Sequence, residues 1–242
     1  MASINKEAKL LTDELASLLK SKSVYVFDWD GTIFDSMRVK SNNFASAFLW
    51  SVPISTHPED KKDLENHYRY LSGRPREEIF YKVLTILSIV PEPYLFERFN
   101  SMFEKLNMTN LITAPVFPDA LELMNELIKH NKKIYISSSV PPCELQKIVK
   151  ATFPGSIRQH ISKVLGSKDS FSKGVAHIDF IKNESNVDPQ QIIVFGDDIA
   201  DFELSTEAGV DCVLVNRLGS NNQQTVPIVV NSLLRIKEGL AG

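Results

Sequence analysis

The feature that most constrains the fold of this chain is an apolar segment that ends directly in two carboxylates. Residues 24–27 read Val-Tyr-Val-Phe, and Asp28-Trp-Asp30-Gly31-Thr32 follows without a break. Four consecutive β-branched or aromatic residues are typical of a strand buried on both faces, as in the centre of a parallel sheet. Ligands of open α/β sheets bind at the carboxyl ends of such strands, so the sequence places a candidate site at Asp28 and Asp30.

Two aspartates one residue apart repel each other unless something offsets their charge. Gly31 allows the chain to turn sharply after Asp30, and a bound divalent cation is the usual remedy for such repulsion. Most Asp-x-Asp-Gly segments are ordinary surface turns. An EF-hand calcium loop is disfavoured, because its twelfth position is Val39 instead of glutamate. The segment alone therefore leaves two interpretations, a surface turn and a metal-dependent active site.

The composition and charge favour a globular protein that binds small molecules. The 242 residues, 43% of them hydrophobic, can bury a full core, either as one α/β domain or with a smaller accessory domain. The formal net charge is −3 and no basic stretch is present, so we expect neither a nucleic acid nor a membrane as a partner. Cys143 and Cys212 are far apart, which predicts neither a disulfide framework nor a zinc site and fits the cytoplasm.

The first twenty residues predict an amphipathic helix and no targeting signal. Leucines at positions 10, 11, 15, 18 and 19 recur at helical spacing, and charged residues interrupt them. We therefore expect neither a secretory signal nor a membrane-spanning segment. Such a helix usually packs on its own domain, and contact with a second copy of the chain is the less common alternative.

Short apolar segments along the chain predict a doubly wound α/β fold with a parallel sheet. They lie at 24–27, 133–137, 192–195, 212–215 and 228–230. Helical patterns at 119–130 and 175–181 separate the later segments. Strands that alternate with helices in this way form parallel sheets with crossover connections.

The region from residue 36 to about 113 lacks a convincing strand and predicts a helical insert. Its helical patterns cover 43–50, 60–70, 77–89 and 94–106, with proline and glycine between them. We therefore predict a catalytic core of residues 1–37 and 114–242 and a helical cap domain of residues 38–113. Because the insert leaves the core directly after the carboxylate turn, it is expected to act as a lid over the site.

Three further segments carry polar residues at points where core elements begin or end. The strand at 133–137 ends in Ser137-Ser138-Ser139, Lys173 opens a helix, and the strand at 192–195 runs into Gly196-Asp197-Asp198-Ile-Ala-Asp201. Each segment alone is weak evidence, because serines are common in turns and Gly-Asp-Asp often begins a helix. Their order and placement are more informative.

With these segments in this order, the chain resembles the haloacid dehalogenase superfamily of phosphohydrolases. The resemblance extends over essentially the whole chain, from Asp28-x-Asp30-Gly-Thr to the acidic segment that begins at Gly196. It implies a Rossmann-like core, Mg²⁺ as the cofactor and a small phosphate ester as the substrate. A phosphate dianion repels a carboxylate, so such chemistry needs a cation and N–H donors at the phosphoryl group.

The resemblance also implies a role for each residue. Asp28 would be the nucleophile that forms an aspartyl phosphate, and Asp30 would protonate the leaving alkoxide and later activate water. Ser138 would hold the transferring phosphoryl group, although Ser137 is an alternative for this serine. Lys173 would neutralise Asp28 and the phosphate together.

Metal and substrate contacts follow from the same resemblance. Mg²⁺ would be held by Asp28, the carbonyl of Asp30 and Asp197, with Asp198 and Asp201 next to these ligands. The helical cap is similar to that of relatives that resemble phosphoglycolate phosphatase and β-phosphoglucomutase, and residues 71–78 look like their substrate-specificity loop. The expected substrate contacts are Gly31, Thr32, Ser139, Arg74 and Arg76.

The sequence therefore predicts a Mg²⁺-dependent phosphatase of a small phosphorylated metabolite, as a monomer or homodimer. A sugar-phosphate mutase is the alternative, weakened because β-phosphoglucomutase has a histidine where this chain has Lys40. Dehalogenases lack the second aspartate, so Asp30 argues against carbon–halogen hydrolysis. A non-catalytic binding protein on the same fold is disfavoured, because every charged catalytic position is filled.

Overall fold

A six-stranded parallel sheet forms the centre of the protein. The computed structural model describes residues 14–53, 58–72, 74–217 and 228–241. The strand order is β3-β2-β1-β4-β5-β6, so β1 lies between β2 and β4. The strands are β1 Val24–Phe27, β2 Lys133–Ser137, β3 Ile161–Leu165, β4 Ile192–Gly196, β5 Asp211–Val215 and β6 Val229–Val230. The predicted α/β fold with a doubly wound parallel sheet is confirmed.

Helices cover both faces of the sheet and form the insert after β1. Residues 14–21 form helix α1, which includes three of the leucines of the predicted amphipathic helix; positions 10 and 11 lie outside the described residues. The insert contains α2 Met37–Ser51, α3 Pro58–Tyr70, α4 Arg76–Ile86 and α5 Pro93–Asn110. The other helices are α6 Pro118–Lys129, α7 Pro142–Thr152, α8 Gly155–Arg158, α9 Val175–Ser185, α10 Ile199–Glu207 and α11 Leu234–Ala241. Two 3₁₀ turns lie at Leu111–Thr113 and Pro189–Gln191.

The side chains of β1 alternate between two hydrophobic clusters. Tyr25 and Phe27 belong to a cluster that includes residues of α6, α7 and α11, whereas Val24 and Val26 belong to a cluster with residues of α9 and α10. All four residues are fully buried. A strand buried on both faces is continuously apolar, which explains why β1 was recognisable in the sequence.

The insert has a hydrophobic cluster of its own, built mainly from aromatic rings. Phe44 of α2 lies 5.1 Å from Phe99 and 6.0 Å from Phe103 of α5, between ring centroids. Its two connections to the core pair with each other, because Phe34 and Val116 form an antiparallel bridge. We call this insert the cap. No helix in the described ranges is both long and apolar enough to cross a membrane.

Candidate active site

The turn after β1 brings Asp28 against the end of β4. Asp28 N–H donates to the carbonyl of Phe195 over 2.8 Å, and Gly31 N–H donates to the carbonyl of Phe34 over 2.9 Å. Gly31 has φ +80°, and a Cβ added to it would lie 2.0 Å from Asp197 Oδ2. Only glycine combines this conformation with so close an approach, so Gly31 is required for the two acidic segments to meet.

Three carboxylates and one lysine meet at this edge of the sheet. Oxygen atoms of Asp28, Asp197 and Asp201 lie within 4.8 Å of one another. Lys173 Nζ lies 2.6 Å from Asp28 Oδ1 and 2.6 Å from Asp201 Oδ1. The cluster therefore carries more negative than positive charge in a region with little access to water.

Burial and mutual repulsion change the protonation of this cluster. Burial raises the pKa of Asp28 to about 7, the Asp201 and Asp30 charges act in the same direction, and Lys173 opposes them. Burial, followed by the charges of Asp28 and Asp201, raises the pKa of Asp197 well above its usual value. Burial acts to lower the pKa of Lys173, but Asp201 and Asp28 raise it above its usual value. Lys173 is therefore charged, but its single positive charge does not balance the negative charges of the three carboxylates.

The donor set of the cluster fits a hard divalent cation. Asp28, Asp197 and Asp201 present carboxylate oxygens, the ligands that Mg²⁺ and Ca²⁺ prefer. A cation there would offset the repulsion that raises the pKa values of Asp28 and Asp197. Asp198 has a different position, because its side chain caps α10 by accepting a hydrogen bond from Ala200 N–H over 2.9 Å.

The second aspartate of the turn is held by two donors. Ser36 Oγ donates to Asp30 Oδ1, and Lys40 Nζ donates to Asp30 Oδ2 over 2.5 Å. Lys40 belongs to α2 of the cap, and its side chain is 7% exposed. No pattern in the sequence predicts this contact, because a lysine on a helix ten residues after Asp30 is usually exposed to solvent.

The three serines after β2 have different surroundings. Ser137 Oγ lies 2.9 Å from His177 Nδ1, and Ser138 Oγ accepts a hydrogen bond from Val140 N–H over 3.2 Å. Ser139 lines the cavity between core and cap. Thr32 Oγ1 donates to Asp28 Oδ2 over 3.4 Å. Ser137 and Ser139 therefore each line a cavity together with Asp28, and Thr32 contacts it directly.

The cap contributes cationic and aromatic groups to the cavity above the carboxylates. Arg74 lines this cavity together with Tyr68 and Lys40, and Nη1 of Arg74 lies 2.8 Å from Glu78 Oε1. Arg74 is thus close to the candidate active site, and its side chain is 48% exposed. Gly73, which precedes it, lies outside the described residues.

Arg76 also lines the space between cap and core, but it has partners within the protein. Its Nη2 lies 2.7 Å from Glu144 Oε2, and its Nη1 donates to Asn100 Oδ1 over 2.8 Å. Glu144 belongs to α7 of the core and its side chain is 1% exposed; it also accepts a hydrogen bond from Asn107 of the cap. No pattern in the sequence indicates this link, because a charged residue in the first turn of a helix, such as Glu144, is usually exposed to solvent.

Comparisons with known proteins agree with the fold. The model of the haloacid dehalogenase-like hydrolase family matches residues 25–215. A structure of a predicted phosphoglycolate phosphatase from Haemophilus somnus is similar with a TM-score of 0.73 at 17% identity, covering 90% of this chain and 97% of that chain. A structure of a haloacid dehalogenase-like family protein from Streptococcus pneumoniae has a TM-score of 0.70 at 17% identity, covering 90% of this chain and 97% of that chain. A structure of CbbY from Rhodobacter sphaeroides in complex with phosphate has a TM-score of 0.69 at 14% identity, covering 91% of this chain and 100% of that chain. No curated protein sequence matches significantly.

Proposed function

Because the chain belongs to the haloacid dehalogenase-like hydrolase family, we propose that it is a phosphatase of a small phosphorylated metabolite and that Mg²⁺ is its cofactor. The observation that supports this most is the contact of Asp28 with Lys173 in a buried cluster that also contains Asp197 and Asp201. Similar structures include CbbY bound to phosphate and to xylulose-1,5-bisphosphate, both small phosphate compounds.

In the first step, a carboxylate oxygen of Asp28 attacks phosphorus and forms the aspartyl phosphate. The bond between phosphorus and the ester oxygen breaks, and the leaving alkoxide takes a proton from Asp30. Lys173, in contact with Asp28, stabilises the negative charge that develops on the phosphoryl oxygens. Backbone and hydroxyl groups of the loop after β2 orient the phosphoryl group.

In the second step, water attacks the aspartyl phosphate. Asp30, now ionised, accepts a proton from this water, and the phosphorus–oxygen bond to Asp28 breaks to release inorganic phosphate. Mg²⁺, held by Asp28, Asp197 and the carbonyl of Asp30, with Asp201 beside them in contact with Lys173, would supply further positive charge to the phosphoryl oxygens. The cap excludes bulk water while the leaving group is in place.

The function is tested by release of inorganic phosphate from a panel of phosphorylated metabolites with Mg²⁺. We expect stoichiometric phosphate from the preferred substrate and none in excess chelator. Asp28→Asn should abolish turnover, because an amide cannot act as the nucleophile. Asp35→Asn is the matched control, because Asp35 is exposed on the same turn and should retain full activity.

Product analysis separates the phosphatase from the alternative mutase. A mutase returns a phosphate to its intermediate and releases an isomerised sugar phosphate with almost no inorganic phosphate. An isomer as the main product would replace the proposed function with the mutase. Full activity in excess chelator would contradict the role of Mg²⁺, and full activity of Asp28→Asn would contradict the nucleophile.

A further inference from the structure

The turn that carries the nucleophile accepts hydrogen bonds from an arginine that follows β5, two strands away from β1. Arg217, two residues after β5, donates from Nε to the carbonyl of Gly31 over 3.2 Å and from Nη2 to the carbonyl of Thr32 over 2.7 Å. Its side chain is 16% exposed. The carbonyls of Trp29 and Phe34 accept hydrogen bonds from N–H groups of the turn itself, whereas those of Gly31 and Thr32 accept from Arg217.

Both residues that Arg217 holds are in contact with the candidate active site through their other atoms. Thr32 Oγ1 donates to Asp28 Oδ2 over 3.4 Å. Gly31 passes so close to Asp197 that an added Cβ would lie 2.0 Å from its Oδ2. A displacement of these two carbonyls would therefore move the nucleophile and the Asp197 carboxylate relative to each other.

Asp119 of α6 fixes the orientation of this arginine. Arg217 Nη1 lies 2.8 Å from Asp119 Oδ2, and Nη2 lies 3.0 Å from Oδ1. Asp119 also accepts hydrogen bonds from Ser232 Oγ over 2.7 Å and from Leu233 N–H over 2.9 Å. Burial acts to raise the pKa of Asp119, but these hydrogen bonds and the Arg217 charge lower it below its usual value. Arg217 and Asp119 therefore form an ion pair in which each residue also has hydrogen-bond partners outside the pair.

Arg217 also contacts the segment that returns from the cap. Its guanidinium carbon lies 3.8 Å from the ring centroid of Phe117. Phe117 N–H donates to the carbonyl of Ile33 over 3.0 Å, and Asp35 N–H donates to the carbonyl of Pro115 over 2.9 Å. One guanidinium group thus contacts both the catalytic turn and the connection through which the cap joins the core.

We propose that Arg217, oriented by Asp119, is a positioning residue that fixes the catalytic turn for attack by Asp28. It touches the turn and not the reacting atoms, so it acts through Gly31 and Thr32. A planar guanidinium can bond two carbonyls and a carboxylate at once, whereas a lysine ammonium cannot reproduce this geometry. The kinetic consequence rests on the proposed function, but the effect on the turn does not.

The kinetic test uses p-nitrophenyl phosphate with Mg²⁺ and the full chain. Arg217→Ala should lower kcat by about 10²-fold, because small misplacements of reacting groups have costs of this size, with KM nearly unchanged. The kcat values of Arg217→Lys and Asp119→Asn should lie between those of Arg217→Ala and the wild type. Guanidinium ion should restore part of the kcat of Arg217→Ala. Arg235→Ala is the matched control, because Arg235 is exposed on α11 and pairs with Glu238 at 3.7 Å.

Hydrogen–deuterium exchange tests the turn without any turnover. In Arg217→Ala and Arg217→Lys, peptides covering residues 28–36 should exchange faster than in the wild type, while peptides of β4 should exchange as before. Should the wild type release no phosphate, the proposed function fails and exchange still decides this proposal. Unchanged exchange at 28–36 would overturn it, and so would equal acceleration in β4, which indicates general destabilisation. Arg217→Lys and Asp119→Asn decide the outcome if Arg217→Ala does not fold.

Discussion

Asp28 is the residue at which the demands of chemistry and of folding conflict. Its carboxylate lies in contact with Lys173 and near two other aspartates, which suits a nucleophile beside a cation site. The same burial and repulsion raise its pKa to about 7. In the absence of metal, the ionised cluster is therefore expected to reduce the stability of the folded state.

We predict that Asp28→Asn stabilises the metal-free protein at pH 8. The folded state holds a proton on Asp28 up to about pH 7, whereas the unfolded chain releases it near the usual pKa of 3.8. Folding therefore binds a proton in this window, and stability falls as the pH rises through it. Asparagine does not titrate, and Lys173 keeps Asp201 as a partner at 2.6 Å. The free energy of unfolding should favour the variant by more than about 1 kcal/mol.

Urea denaturation between pH 5 and pH 8 in excess chelator measures this difference. The advantage of Asp28→Asn should grow with pH up to about 7 and then stay constant, as expected from the raised pKa of Asp28. Asp35→Asn, an exposed change on the same turn, should show no such trend. A variant less stable than the wild type at pH 8 would contradict the prediction.

At the same scale, the sequence could predict residues that directly end a strand or begin a helix. Asp28 and Asp197 are of this kind, because strand ends of a parallel sheet meet at one edge. Lys173 was expected to open a helix, but it lies in a turn two residues before α9 begins at Val175. Lys40 and Arg217 are not of this kind, because their contacts depend on how a cap helix and a loop after β5 fold back onto the turn. No local pattern encodes such a contact.

At the scale of elements, β3 at the edge of the sheet is the strand that no apolar segment of the sequence predicted. β3 (Ile161–Leu165) has two exposed residues in its centre and forms an edge of the sheet, so it lacks the continuous apolar pattern of β1. The cap helices were recognised by their periodicity, but their ends shifted: α2 begins at Met37, six residues before the predicted start. That first turn follows directly from Ser36, which holds Asp30.

The link between α4 and α7 is the contact between elements that is most sensitive to change. Arg76→Ala would leave the Glu144 carboxylate, 1% exposed, without its charged partner. Loss of one member of a buried ion pair typically costs 3–5 kcal/mol, so we expect the free energy of unfolding to fall by about 3 kcal/mol. Arg74→Ala breaks an exposed pair with Glu78 and should cost less than about 1 kcal/mol.

Urea denaturation of the two variants measures this contrast, with a double variant as a further check. Arg76→Ala combined with Glu144→Gln should be more stable than Arg76→Ala alone, because the glutamine leaves no unpaired buried charge. Similar losses of unfolding free energy for Arg76→Ala and Arg74→Ala would show that the buried ion pair between Arg76 and Glu144 stabilises the protein no more than the exposed pair does.

At the scale of the whole molecule, the cap and the core share one cavity. The carboxylates of the core form its floor, and Arg74, Tyr68 and Lys40 of the cap face them. The part of a substrate remote from its phosphate must therefore meet the cap. The sequence could predict that a cap covers the site, from the long interval after Asp30, but the identity of the facing side chains depends on how two separately packed hydrophobic clusters meet.

We predict that Arg74 binds the remote part of the substrate. It pairs with the partly exposed Glu78, so its guanidinium can turn toward the cavity that it lines. Binding energy from a remote group supports catalysis when it helps close the cap over the reacting phosphate. Arg74→Ala should therefore lower kcat/KM for the preferred metabolite by roughly 10- to 100-fold, the range expected for a hydrogen bond to a charged group. For p-nitrophenyl phosphate, which lacks such a group, the loss should be small.

Lys82→Ala is the matched control for this prediction. Lys82 Nζ also pairs with Glu78 Oε1, at 3.3 Å, and the Lys82 side chain is 44% exposed. Unlike Arg74, Lys82 is not among the residues that line the cavity. Its removal should leave kcat/KM unchanged for both substrates, because it changes the surface charge near Glu78 without touching the substrate. Equal losses on both substrates in Arg74→Ala would instead place Arg74 in the chemistry or the fold. A loss in Lys82→Ala that matched Arg74→Ala would show that the effect comes from the general charge of the cap and not from contact with the substrate.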